Sequence, residues 1–307
     1  MIYKVSVDDH IIRCLLKDRP VRVVAAVTTG IGLEAARRHG VVAGGQVALS
    51  RAATSGLLVA TLSKGKERVT LQVLGDGPLG GAVVDARAKG DVRAYLKEPG
   101  VLIPATPGER VRLFEYLGRK GIVSVIRDLG LKQRFQGQSS MLSGEIDADV
   151  EHYLTTSEQI ESAMGCDAVL GGDGSIVAAG GVLVQCMPDG GQTNMVAEMW
   201  RRLRFDAVFD TLKSRPGITA EDLARAVLGE FADELDVLDI RPVQFHCDCT
   251  LERVCESLTL IASDELQAMI DEDEGAEITC DFCRETYVFN AAQLIAIRDA
   301  AGPRATS

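Results

Sequence analysis

The sequence predicts an α+β protein: a large N-terminal mixed α/β domain, a helical linker and a small cysteine-rich C-terminal domain. Three observations carry this reading. Short Val-rich runs alternate with Gly-containing turns and a few helix-like stretches over the first 192 residues. From Thr193 onward apolar residues recur near the 3.6-residue period of a helix, and five of the eight cysteines fall between Cys247 and Cys283. The divisions expected are a body over 1–192, a linker over 193–240 and a tail over 241–307.

Within the body, the runs Ile2 to Val7, Val21 to Thr28, Arg68 to Leu74, Gly81 to Arg87 and Val123 to Asp128 have strand character, and Gly30 to His39 and Gly45 to Leu62 have helix character. In the linker, Val196, Met199, Trp200, Leu203, Ala207, Val208 and Leu212 form one apolar stripe with charges opposite. Ser214 to Gly217 breaks that helix, and Thr219 followed by Glu221 and Asp222 starts the next. The exposed-looking apolars Met195, Met199, Trp200, Phe205 and Phe209 read first as ordinary packing against the body.

In the tail a strand is expected to lead into Cys247. A helix then places Leu251, Val254, Leu258 and Ile261 on one face, Ser263 caps a further helix ending near Gly275, and Ile278 to Phe289 reads as a hairpin with Cys280 and Cys283 at its turn. Asn290 caps a last helix through Leu294 and Ile297, and Gly302 to Ser307 is expected to fray.

Aromatic residues are only 5% of a chain that is 46% hydrophobic, so the core should be built from Val, Leu, Ala and Ile rather than rings. A net charge of −11 opposes nucleic-acid phosphate and anionic lipid. Met1 to Asp9 lacks a basic segment followed by an apolar one, and no window reaches about 18 apolar residues. The expectation is a soluble, cytoplasmic protein in a reducing compartment, where clustered thiols are metal ligands or redox centres more often than structural disulfides.

The chemistry lies in Cys247-x-Cys249, a gap of 30 residues, and Cys280-x-x-Cys283. Two chelating turns supply four soft donors, which suits a tetrahedral Zn²⁺ site with Zn–S near ~2.3 Å. Four thiolates close the shell, so the site is structural or regulatory, with no position left for hydrolytic water, and the chain is not expected to be an enzyme. Cys255 falls on the inner face of its helix and reads as core; His246 beside the first pair reads as solvated. Thiolates are also the groups that oxidants attack, and the adjacent pairs Cys247–Cys249 and Cys280–Cys283 are the expected disulfides.

The segments Phe245 to Val254 and Cys280 to Phe289, at this interval, resemble the heat shock protein 33 family of redox-regulated 33 kDa holdase chaperones. Gln136 and Gly137, Gly144 to Ile146, Tyr153 to Gln159, Gly174 and Ala179 to Gly181 extend the resemblance over nearly the whole chain. It implies a reduced, zinc-bound, inactive state and an oxidised dimer that binds unfolding client proteins without ATP. It also implies that residues 193–240 form a metastable linker whose unfolding exposes the client surface. Thr250 stands where the family pattern has Ser, and Cys14, Cys166, Cys186 and Cys255 are additional thiols, of which Cys255 offers a competing disulfide partner.

The sequence opposes two other classes. A zinc-ribbon nucleic-acid module conflicts with the formal charge of −8 over Arg241 to Ser307, where five Arg face thirteen Asp and Glu, including the run from Asp271 to Glu274. A dinucleotide fold is suggested by Gly75-x-Gly77-x-x-Gly80, but the residues that follow read as a strand and not as a helix able to hold pyrophosphate.

Overall fold

The Val-rich runs form two sheets in the computed structural model, which describes residues 8–301 apart from 64, 66, 131–133, 188–193, 262 and 273–274. The strand expected over Ile2 to Val7 and the frayed end at Gly302 to Ser307 lie outside the described residues. The chain divides into two units, Met1–His246 and Cys247–Ser307.

In the first unit, β1 (His10–Leu16), β2 (Arg19–Val27), β8 (Ser162–Leu170), β9 (Ile176–Cys186) and β10 (Leu235–Pro242) make an antiparallel sheet in the order β10-β1-β2-β9-β8. The second sheet holds β3 (Arg68–Gly75), β4 (Gly81–Arg87), β5 (Asp91–Leu96), β6 (Gly121–Asp128), β7 (Arg134–Ser140) and the two-residue β11 (Gln244–Phe245). Its order is β11-β5-β4-β3-β6-β7.

Why Val23 to Val27 is an unbroken apolar run follows from the sheet's two faces. Val24 and Ala26 join the core under α1 (Thr29–His39) and α2 (Gly44–Thr61), whereas Val21, Val23, Ala25 and Val27 join a second core. Strand side chains alternate in direction, so a strand buried on both faces needs no polar positions. α2 is buried along its whole length, and its Arg51 is fully enclosed against Glu145 and Asp147.

The glycine-rich segment after β3 is the connection to β4. A Cβ on Gly77 would lie 2.4 Å from the Tyr116 carbonyl oxygen, so the glycines allow two loops to touch. No helix follows to receive a phosphate.

Between Leu96 and β8 run α3 (Phe114–Leu117) and α4 (Ile146–Thr156). The linker region then packs its apolar stripe on the first sheet. α5 (Asn194–Arg204), α6 (Ala207–Ser214) and α7 (Ala220–Leu228) bury Met195, Met199, Leu203, Phe209, Leu212 and Leu223, while Trp200 and Phe205 remain 45% and 80% exposed. The Thr219 hydroxyl caps α7 by accepting from the Asp222 N–H at 3.1 Å.

Two differences from the sequence reading have physical causes. The single helix expected through Leu212 is broken at Asp206, whose backbone is left-handed at φ 66 and whose carboxylate is gripped by Arg110 and Arg112. The segment 193–240 is also not helical throughout: after a 3₁₀ turn at Gly229–Glu234, Leu235–Pro242 becomes β10, paired with β1. That pairing, followed by β11 on β5, carries the first unit on to His246, beyond the division expected at 240/241.

The second unit contains α8 (Leu251–Leu258), α9 (Ser263–Glu272), the hairpin β12 (Gly275–Thr279) and β13 (Thr286–Asn290), and α10 (Ala291–Ala301). Asn290 and Gln293 cap α10 reciprocally, each side chain accepting from the other's N–H at 2.9 Å. Among the described residues its core has four fully buried apolar side chains besides Cys283: Leu258, Leu266, Phe289 and Leu294. Val254 and Ile261 pack partly against them, but Leu251, expected on the same face, is 48% exposed. The Ser263 side chain, expected as a cap, lies outside the described residues.

Candidate metal centre

Cys247 and Cys249 lie on the extended segment before α8, and Cys280 and Cys283 on the turn between β12 and β13. Each pair is held by local backbone geometry. Thr250 caps α8 by accepting from the Arg253 N–H at 3.3 Å, which fixes the first segment, and Arg253 reaches back to the Asp248 carbonyl at 3.0 Å. In the hairpin turn the Cys280 N–H donates to the Glu285 carbonyl at 2.9 Å and the Arg284 N–H to the Cys280 carbonyl at 2.8 Å. Arg284 completes that turn in the left-handed region, at φ 59.

The result brings four sequence-distant thiols together: all Sγ atoms lie within 4.8 Å of one another. Cys247 and Cys280 are 3.9 Å apart and Cys249 and Cys283 3.1 Å. A tetrahedral ion with ~2.3 Å bonds to sulfur needs S···S edges of ~3.8 Å, so this donor set fits zinc in number, softness and spacing.

Crowding makes Cys280 and Cys283 hard to ionise without a cation. The hydrogen bond with the Cys247 thiol and then burial push Cys280 far above the ordinary thiol range; burial and then Cys249 push Cys283 up to about 11. A bound dication reverses that logic, because it stabilises the thiolates it ligates. Tyr287 supplies an outer contact, its hydroxyl donating to Cys249 Sγ at 3.4 Å.

Among the described residues neither His246 nor Cys255 joins the four-thiol group. The His246 N–H donates to the Val92 carbonyl in the first unit, and Cys255 packs at the margin of the small tail core. Cys14, Cys166 and Cys186 are buried in the body, and burial pushes Cys14 up to about 12 and Cys166 higher still. Such thiols are poor nucleophiles.

A second feature had no motif to announce it. Arg110 pairs with buried Asp167 and with Asp206, Arg51 with Asp147, and Arg204 with Glu151, so buried charge lies on both sides of the junction between α4 and the linker helices. A cavity of about 650 Å³ lies there, lined in part by Leu142, Ala148, Val196 and Trp200. The one signal in the sequence is a single charge inside a run of apolar and small residues, as at Arg51 and Asp167.

A large α+β body joined to a small four-thiol tail defines a protein whose metal-type centre is closed, and so one that would be regulated or held by its ion rather than one that does chemistry on it. Comparison with known proteins is specific. The family model described as Hsp33 protein matches residues 9–290, and the chain belongs to that family. Relatives named 33 kDa chaperonin include those of Bacillus licheniformis, 37% identical over 95% of this chain and 99% of the relative, and Enterococcus faecalis, 35% identical over 96% and 97%. The crystal structure of the 33 kDa chaperonin (heat shock protein 33 homolog) of Thermotoga maritima superposes with a TM-score of 0.82 at 26% identity, covering 95% of this chain and 98% of that one. The family is thus one of chaperones. Among the described residues no helix is long and apolar enough to cross a membrane.

Proposed function

We propose that this chain is a redox-regulated, ATP-independent holdase: reduced and zinc-bound it is inactive, and oxidised it binds unfolding proteins and prevents their aggregation. The observation that carries this is the pairing of four clustered thiols with a tail core that, among the described residues, has only four fully buried apolar side chains. A unit of that size gains ~3–5 kcal/mol from its core, whereas structural zinc contributes ~10–16 kcal/mol of apparent folding free energy. The tail therefore folds on its ion.

Oxidation removes the ligands. Each dithiol gives two electrons to peroxide, forming one S–S bond and two waters, and a disulfide sulfur no longer holds zinc. The pairing proposed is Cys247 with Cys249 and Cys280 with Cys283, since each lies on one short segment and closes without the other. Loss of the tail's fold releases the linker, residues 193–240, whose buried Met195, Met199 and Phe209 then become available to clients. The oxidised species is proposed to be a homodimer, and the reduced one to reside in the cytoplasm, where thiols stay reduced.

The test is peroxide treatment at elevated temperature, followed by aggregation of a thermally unfolding client. Suppression only after oxidation is expected; zinc release without suppression contradicts the proposal.

A further inference from the structure

β10 is the edge strand of its sheet, and it covers an edge with unusual properties. β1 beneath it buries Ile11 in one core and Ile12, Cys14 and Leu16 in the other, each 3% exposed or less. Its backbone groups facing β10 are thus flanked by apolar surface on both sides. The Lys17 N–H donates to the Glu234 carbonyl and the Val243 N–H to the Asp9 carbonyl, both at 3.0 Å. The alternation of an antiparallel ladder then turns the amides of Ile11, Arg13 and Leu15 toward β10.

The hold on β10 is weakened in the middle. A register shift between Arg13 and Cys14 leaves Leu238 without a partner on β1, and Leu238 and Ile240 are 54% and 61% exposed. β10 ends at Pro242, five residues before Cys247. The two-residue β11, paired with β5, lies between them, so loss of fold in the tail would first have to peel β11 away and would then free the C-terminal end of β10. An open strand edge of this kind is a template for any extended chain.

We propose that β10 is a resident stand-in for the client: when it leaves, an extended segment of an unfolding protein pairs with the vacated edge of β1. This rests on the holdase reading and assigns it a surface. Main-chain hydrogen bonds would give affinity without sequence preference, and alternate apolar side chains would enter the core where Leu235 and Val237 now pack. The partner class is an unstructured polypeptide with an apolar residue at every second position.

The register supplies a one-residue test. Cys14 lies opposite Val237, both side chains facing the same core, at a position that the ladder's alternation makes non-hydrogen-bonded, where side chains are closest. In Val237→Cys, oxidation joins the new thiol to Cys14 and locks β10 in place. The probe is carboxymethylated, permanently unfolded lactalbumin. The oxidised variant is expected to lose zinc as the wild type does, yet bind the probe at least tenfold more weakly, with binding restored in Cys14→Ser/Val237→Cys. Wild-type binding by a variant whose lock is verified by peptide mapping overturns the proposal. Hydrogen exchange on the oxidised wild type is the independent arm: bound probe should slow the amides of Ile11, Arg13 and Leu15, and unchanged exchange there also overturns it. A wild type that binds no probe after oxidation instead overturns the holdase reading.

Discussion

Arg204 on α5 donates to Glu151 on α4 at 2.9 Å, and the Trp200 indole hydrogen-bonds to the same carboxylate, so the first linker helix is tied to the body at a buried carboxylate. Burial pushes Glu151 up to about 7, against the partial relief given by Arg204 and the Met164 N–H. Trp200 is the chain's single tryptophan, which makes its emission a reporter of this contact.

A carboxyl raised from 4.5 to about 7 on folding favours the folded body below pH 4.5, and that contribution is lost as pH rises to 7. The change amounts to about 3 kcal/mol. Glu151→Gln should flatten this part of the stability curve; urea unfolding followed by Trp200 emission at pH 5 and pH 7.5 checks it, and an unchanged slope would count against the assignment.

Asp206 holds the α5–α6 break through Arg110 and Arg112. Asp206→Ala removes both partners while keeping a non-glycine residue at positive φ, and should lower the stability of the linker contact by about 1–3 kcal/mol. The readout is the urea midpoint of Trp200 emission, expected to fall while the zinc content of the reduced protein stays constant.

Phe289 is 2% exposed and is the largest of the four fully buried apolar side chains of the tail core among the described residues. Phe289→Ala should cost about 3–5 kcal/mol of folding free energy. Since metal binding and folding are linked, zinc affinity should fall by about two to four powers of ten. Competition against a chromophoric chelator measures it; unchanged affinity would mean that the site forms without the core.

The four thiols were legible because metal ligation constrains local spacing, and the tail's helices and hairpin followed from caps and turn residues such as Asn290. Strands buried on both faces were legible as apolar runs. Long-range electrostatics were not. Nothing beside Asp206 in the sequence marks it as a helix break, because the arginines that hold it lie more than ninety residues earlier. Leu235–Pro242 carries alternating charges that suit a solvated segment, and only its pairing with β1, over two hundred residues away, makes it a strand. Leu251 met the helical period but is exposed, since the tail core is too small to cover a full stripe.

The central claim is that one ion and four thiols form a single switch, and counting zinc and free thiols per chain before and after peroxide tests it most directly. One zinc and eight reduced cysteines, four of them its ligands, are expected at the start. Afterward no zinc and four thiols are expected, the survivors being Cys14, Cys166, Cys186 and Cys255. Zinc retained after the thiols are lost, or released while all eight remain reduced, would contradict the claim.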